Sequence, residues 1–208
     1  MLNLVRKDFI ALKSSFWMSL MYLVVFSVAF IPKMSSSIHL VGIYTAFATI
    51  MLGTLIDIKH HNHIFLVTLP IKRKQIVLAK YVSAIIYTVV GVLVSYGIHL
   101  LVNLYFPELN KPDYSIKDIL GPVGITLVLT SVYLPLFYAF SKKGATIING
   151  VFMILLIALA QPTAIFMNLI REEGSSSSQI FYLVLAGISL LFMASYFITA
   201  KLFTRKDL

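Results

Sequence analysis

Long apolar runs, separated by short polar stretches, decide what this chain can fold into. Six such runs begin near residues 15, 37, 77, 118, 146 and 180. A helix of about 20 apolar residues is long enough to cross a bilayer. Only 12% of the 208 residues are charged, compared with about a quarter in an average soluble domain. The sequence therefore predicts an all-α, polytopic membrane protein with six transmembrane helices, and a single transmembrane domain over residues 1–208.

The basic residues predict the orientation of these six spans. If the N-terminus lies in the cytoplasm, thirteen Lys and Arg residues lie inside, and only Lys33, Lys111, Lys117 and Arg171 lie outside. Membrane proteins concentrate Lys and Arg in their cytoplasmic loops. We therefore expect both termini and the loop 57–76 in the cytoplasm, and residues 162–179 outside. The net charge of +9 is explained by this topology, so no nucleic-acid partner is expected.

Residues 1–14 precede the first span and carry an apolar stripe formed by Leu2, Val5, Phe9 and Leu12. Their spacing places them on one face of a helix. Asp8 lies at the flank of this stripe, roughly 80° from its centre. The pattern predicts an amphipathic helix at the cytoplasmic membrane interface. The alternative is a helical extension of the first span.

The loop between the second and third spans is the longest basic interruption in the chain. Its candidate contact residues for a cytoplasmic partner are His60, His61, His63, Ile64, Phe65, Leu66, Val67, Pro70, Lys72, Arg73 and Lys74. An apolar centre with a charged rim is the usual anatomy of a protein interface. Neighbouring histidines on a helix point about 100° apart, so the three do not converge on one ion, and no metal site is predicted. The alternative is that residues 64–67 pack under the membrane domain.

No motif for catalysis is present. The sequence contains neither a phosphate-binding G-x-x-x-x-G-K-[ST] loop nor an H-E-x-x-H zinc motif nor a G-x-S-x-G nucleophile elbow. We therefore predict a protein that is not an enzyme and has no ATPase motif of its own. The middle of the spans holds no evident ionisable group, which argues against an ion-coupled carrier.

Polar residues inside the spans are candidates for lining a transport pathway. They are Tyr44, Thr45, Thr49, Ser95 and Gln161. The alternative for the hydroxyl groups is ordinary hydrogen bonding between helices. The fifth span meets Gln161-Pro162 after a short apolar run, so we expect a helix break there, followed by a separate re-entrant segment over 163–170.

Residues 69–81, LPIKRKQIVLAKY, resemble the segment after the second span in small bacterial ABC-2 type permeases, the membrane subunits of ATP-driven exporters. The N-terminal Lys7-Asp8-Phe9 is similar to their usual start. The resemblance implies a coupling helix in the loop after the second span, which seats in a groove of a separate ATPase subunit. It also implies two permease copies, identical or related, with two ATPases. ATP and Mg²⁺ belong to the partner, and this chain holds no cofactor.

The resemblance also suggests a cargo and a location. Small members of this size resemble subunits that export amphipathic cytolytic peptides, such as phenol-soluble modulins. We therefore expect a multi-pass protein of the bacterial cell membrane that moves an amphipathic peptide or other apolar cargo. Two alternatives stay open: an ATP-independent channel or carrier, and a non-transporting immunity or sensor subunit.

Overall fold

The computed structural model describes residues 2–13, 15–33, 37–59, 71–109, 116–140, 142–172 and 178–205. These residues form seven α-helices and one short 3-10 helix, with no β-strand among them. The all-α prediction is therefore confirmed. The elements are α1 (Leu2–Lys13), α2 (Phe16–Phe30), α3 (Ser37–Lys59), α4 (Arg73–Tyr105), the 3-10 helix Pro107–Leu109, α5 (Ile116–Ala139), α6 (Lys142–Glu172) and α7 (Ser178–Arg205).

Four of these helices are long and apolar enough to cross a membrane. The spanning parts are His39–Lys59, Arg73–Tyr105, Ile119–Ala139 and Tyr182–Arg205. A fifth crossing results if α1 and α2, which meet at a bend of 69°, form one broken span. The apolar part of α6, Gly144–Leu159, is shorter than these. The described residues thus form a multi-pass membrane protein, and the count of six spans stays a prediction.

Helix α6 departs from the sequence prediction at Pro162. We expected a break at Gln161-Pro162, but α6 continues through this proline as far as Glu172. Proline inside a helix removes one backbone hydrogen bond and bends the helix, and the residues on either side can still remain helical. The expected break is therefore not found. The extracellular, re-entrant course of residues 162–179 stays a prediction.

Helix α3 is the centre of the bundle. It packs against α1, α2, α4, α5 and α6, and side chains such as Leu40 and Phe47 are fully buried. It approaches α4 closely at Gly91, where an added Cβ atom would lie 2.9 Å from both Cα and Cβ of Ala46. Small residues allow such close approach of membrane helices. This packing fixes where the last turn of α3 ends relative to the first turns of α4.

A proline in α5 creates a polar link between three helices. Pro135 has no backbone N–H, so the carbonyl of Ser131, four residues earlier, receives no helical hydrogen bond from it. The hydroxyl of Ser195 on α7 donates to this carbonyl at 2.6 Å. The Tyr81 hydroxyl on α4 in turn lies 2.7 Å from Ser195 Oγ and 2.8 Å from Thr199 Oγ1. In an apolar surrounding, the freed carbonyl needs such a partner.

This arrangement predicts that the cost of losing the Ser195 hydroxyl depends on Pro135. We expect Ser195→Ala to lower the free energy of unfolding by roughly 1–3 kcal/mol, because a buried carbonyl loses its donor. In a Pro135→Ala background the restored N–H of residue 135 serves that carbonyl, and the same change should cost much less. Denaturant unfolding of the four variants in detergent micelles measures this difference. Equal costs in both backgrounds would contradict the proposed link.

Candidate functional site

The candidate site lies at the end of the bundle where α3 ends and α4 begins, which we call the loop end. Helix α3 ends at Lys59 and α4 begins at Arg73. Helix α1 packs against both of them. The loop end therefore brings the N-terminal helix together with the two ends of the predicted coupling loop.

Four charged side chains meet at the loop end and form what we call the charge cluster: Lys7, Asp8, Asp57 and Lys80. The Lys80 ammonium lies 2.5 Å from Asp57 Oδ2 and 3.1 Å from Asp8 Oδ1. The Lys7 ammonium lies 3.0 Å from Asp8 Oδ1 and 3.3 Å from Asp57 Oδ1. Each lysine thus bridges both carboxylates, and each carboxylate contacts both lysines. The cluster ties α1 to α3 and α4.

Three members of the charge cluster are removed from solvent, whereas the Lys7 side chain is 28% exposed. Asp8, Asp57 and Lys80 are only 4%, 6% and 8% exposed. A small cavity beside them is otherwise lined by Leu4, Ile76, Ala79 and Tyr138. Burying an ion costs several kcal/mol unless partners replace its water. Two positive and two negative groups balance here, and the Ser83 hydroxyl donates a further hydrogen bond to Asp8 Oδ2 at 3.0 Å.

Helix α1 packs on the bundle partly through residues outside its apolar stripe, and its predicted place at the membrane interface stays a prediction. Leu4 is buried in the core together with Asp8, one helical turn later. Val5 and Leu12 are partly buried against that core, whereas Phe9 is 40% exposed and makes an edge contact with the Tyr87 ring. Leu2 belongs to α1, but its side chain lies outside the described residues. The buried face is rotated toward Asp8 because ion pairs with α3 and α4 hold it there.

Most of the predicted coupling residues lie outside the described residues: His60, His61, His63, Ile64, Phe65, Leu66, Val67 and Pro70. Lys72 and Lys74 are exposed. Arg73 is half-buried, and its guanidinium donates to the carbonyl oxygens of Thr204 and Phe203 at 3.3 and 3.5 Å. Cations interact favourably with the last carbonyls of a helix. Arg73 therefore fastens the start of α4 to the end of α7, a role that the sequence did not suggest.

The predicted pathway residues are distributed unevenly. Tyr44, Thr45, Thr49 and Ser95 are buried inside the bundle, whereas Gln161 is exposed on α6. The Tyr44 hydroxyl donates to the Leu156 carbonyl. The Thr49 hydroxyl donates to the Thr45 carbonyl at 2.8 Å and lies 2.9 Å from Ser19 Oγ. Hydrogen bonds of this kind join packed membrane helices. A role in lining a pathway stays a prediction.

The charge cluster is the part of the site that sequence reasoning missed. Asp8 and Asp57 are the only acidic residues among the first 107. Both lie beside apolar helical segments, and each needs a cation nearby if that segment is buried. The scarcity of acidic residues in this half of the chain therefore indicates that Asp8 and Asp57 each pair with a cation in the structure. It does not indicate which of the many lysines supplies the partner.

The balance of charges predicts how the cluster responds to substitution. Lys80→Met removes one cation from two buried carboxylates, and we expect a loss of roughly 3–5 kcal/mol in the free energy of unfolding. Adding Asp57→Leu leaves one ion pair, the partly exposed Lys7 with the buried Asp8, and should restore much of the loss. Lys74→Met, an exposed lysine on the same helix, should change stability by less than about 0.5 kcal/mol. Denaturant unfolding in micelles measures all three, and equal losses for Lys80→Met and Lys74→Met would refute the cluster.

The chain is similar in sequence to one family of known proteins. A sequence model of the family described as "ABC-2 family transporter protein" matches residues 3–204. No curated protein and no solved structure matches the chain. Among the described residues, no group of three or more His, Cys, Asp or Glu side chains is placed to hold a metal ion.

Proposed function

Since the chain belongs to the ABC-2 family of transporter proteins, we propose that it is the permease subunit of an ABC exporter in a bacterial cell membrane. A separate ATPase subunit binds ATP and Mg²⁺ and docks on the loop between α3 and α4. The observation that carries this proposal is the charge cluster, because it joins both ends of that loop to a third helix. Movement of the loop is thereby transmitted into the bundle.

The first step of the mechanism is the transfer of force to α3 and α4. Asp57 lies in the last turn of α3, and Lys80 lies in the second turn of α4. Their 2.5 Å contact ties the two helices together close to the loop. An ATPase that pulls on the loop therefore moves α3 and α4 as a pair. The close approach at Gly91 extends this pairing along the helices.

The second step involves α1 and α7. Lys7 and Asp8 link α1 to the same cluster, so α1 follows the loop. Arg73 links the start of α4 to the last carbonyls of α7. A displacement of the loop between α3 and α4 is thus transmitted to four helices, α1, α3, α4 and α7, through charged contacts. Breaking one of these contacts weakens the charge balance of a largely buried site, which is unfavourable.

The cargo path is proposed to lie between two copies of the permease. The centre of the described bundle is filled by aromatic side chains, such as Phe47, Tyr133 and Phe152, whose rings contact one another. The outer faces of α2, α4 and α7 expose large apolar side chains. An apolar face suits both lipid and an amphipathic peptide. We therefore propose an amphipathic peptide as cargo, carried along a surface that two copies share.

Replacing the loop tests this proposal. We expect the chain to co-purify from its host membranes with a subunit that carries a phosphate-binding loop and hydrolyses ATP. Exchange of residues 60–70 for a Gly/Ser segment of equal length should abolish both co-purification and ATP-dependent export of an added amphipathic helical peptide. A matched exchange of residues 110–114, a predicted outer loop, should preserve both. Unchanged binding and export after exchange of the coupling loop would refute the proposed role of the loop.

The alternative functions give different outcomes in the same system. An ATP-independent channel would conduct when the purified chain alone is reconstituted in liposomes without ATP. An immunity or sensor subunit would leave export intact in a strain that lacks the gene. We expect neither outcome, because the proposed mechanism requires both the ATPase and this chain for export.

A further inference from the structure

The exposed residues of α1 all lie on one side of the helix, which we call the outer face of α1. They are Asn3, Arg6, Phe9, Ile10 and Lys13. At about 100° per residue, these five positions fall within an arc of roughly 120°. Leu4 and Asp8, which are buried in the bundle, lie on the opposite side of the helix. Helix α1 therefore has an inner side held by the bundle and an outer face turned away from it.

The outer face of α1 combines positive charge with large apolar side chains. Arg6 and Lys13 lie at its centre, two helical turns apart. Phe9 and Ile10 flank them on either side and are 40% and 60% exposed. Helices that lie on a membrane surface combine basic residues with large apolar ones. Long basic side chains can also lay their carbon stems on apolar surface while their charges reach the headgroups.

The surroundings of this face at the loop end are positively charged. Among the residues that the structure describes at the loop end, the exposed charged side chains are all basic: Arg6, Lys13, Lys59, Lys72, Lys74, Lys201 and Arg205. Asp8 and Asp57 are buried there against Lys7 and Lys80. The sequence predicts that the loop end faces the cytoplasm, where the membrane surface carries anionic lipids. The charges of the two surfaces are therefore complementary.

The outer face of α1 lies close in the chain to apolar surface on α2. None of the residues of α2 is buried, and Phe16 and Trp17 at its start are 57% and 79% exposed. Exposed apolar side chains of this size are unfavourable in water, so we assign this surface of α2 to lipid contact. Tryptophan is enriched at the boundary between headgroups and acyl chains. Lys13 precedes Trp17 by four residues, which puts the cations of α1 next to that boundary.

We propose that the outer face of α1 binds the headgroups of anionic phospholipids. Arg6 and Lys13 contact the phosphate groups, and Phe9 and Ile10 enter the edge of the acyl region. A second copy of the chain fits this face less well, because two copies of one basic surface repel each other. Anionic lipid and the charge cluster then hold α1 from opposite sides.

The chain contains a single tryptophan, Trp17, which can report the lipids beside this face. The purified protein is reconstituted in phosphatidylcholine vesicles that contain brominated phosphatidylglycerol or, at the same mole fraction, brominated phosphatidylcholine. Bromine atoms quench tryptophan fluorescence at short range, so the two quenching curves give the relative affinity of the two lipids at Trp17. We expect a preference for phosphatidylglycerol that falls as salt is added, because salt screens exposed charges.

Substitution of the two cations tests whether α1 causes this preference. We expect Arg6→Gln and Lys13→Gln each to lower the relative affinity for phosphatidylglycerol by about two- to fivefold. The matched control is Lys33→Gln, which removes an exposed cation just beyond the other end of α2 and should leave the preference unchanged. Quenching by brominated phosphatidylcholine should be the same in all variants, which verifies that Trp17 keeps its place in the membrane.

Two outcomes would overturn the proposal. One is equal affinity of the unchanged protein for the two lipids, a result that needs no variant. The other is a preference that persists when Arg6 and Lys13 are both replaced by Gln. If the double variant instead loses a co-purifying ATPase while its lipid preference is unchanged, the outer face belongs to the ATPase. The quenching experiment uses this chain alone, so its result does not depend on the proposed transport function.

Discussion

The mutual neutralisation of four charges, three of them buried, is the interaction on which the arrangement of α1, α3 and α4 depends. Lys80 lies in an apolar helix, where an ammonium group without partners is strongly unfavourable. Asp8 and Asp57 make its burial acceptable only if all three helices are in register at the loop end. The same contacts therefore hold the three helices in one relative position at the loop end. The cost of separating the charges keeps α1 attached to the bundle, although its sequence resembles that of a peripheral helix.

The same constraint recurs wherever a polar group is buried in the bundle. The carbonyl of Ser131, freed by Pro135, is satisfied by Ser195 from another helix. The Tyr133 hydroxyl contacts Thr54 on α3 and donates to Asn149 on α6. Between membrane helices, apolar contacts give little preference for one partner over another, because lipid tails are equally apolar. Hydrogen bonds and ion pairs, which need particular partners, therefore carry much of the specificity of this fold.

Some parts of the fold and of the site could be predicted from the sequence, and others could not. The apolar runs located α3, α4, α5 and α7 to within a few residues, because the length and composition of a span are local properties. On α1 the apolar stripe includes Phe9, which is 40% exposed, and leaves out Leu4, which is buried in the bundle. The interfacial position of this helix stays a prediction. Arg73 donates to carbonyls at the end of α7, a contact that its place in the loop did not indicate, and its contact with an ATPase stays a prediction. Both contacts depend on how the helices pack, which the local pattern does not specify.

By itself, the sequence determined that the chain is helical and membrane-spanning and that it belongs to the ABC-2 transporter family. Hydrophobic runs and a family pattern are properties of the linear sequence, so both can be recognised without a tertiary structure. Only the tertiary structure decided which charges meet. Lys7 and Asp57 are 50 residues apart in the chain, and Asp8 and Lys80 are 72 apart. Their contact depends on the packing and register of three helices, which neither spacing nor composition specifies.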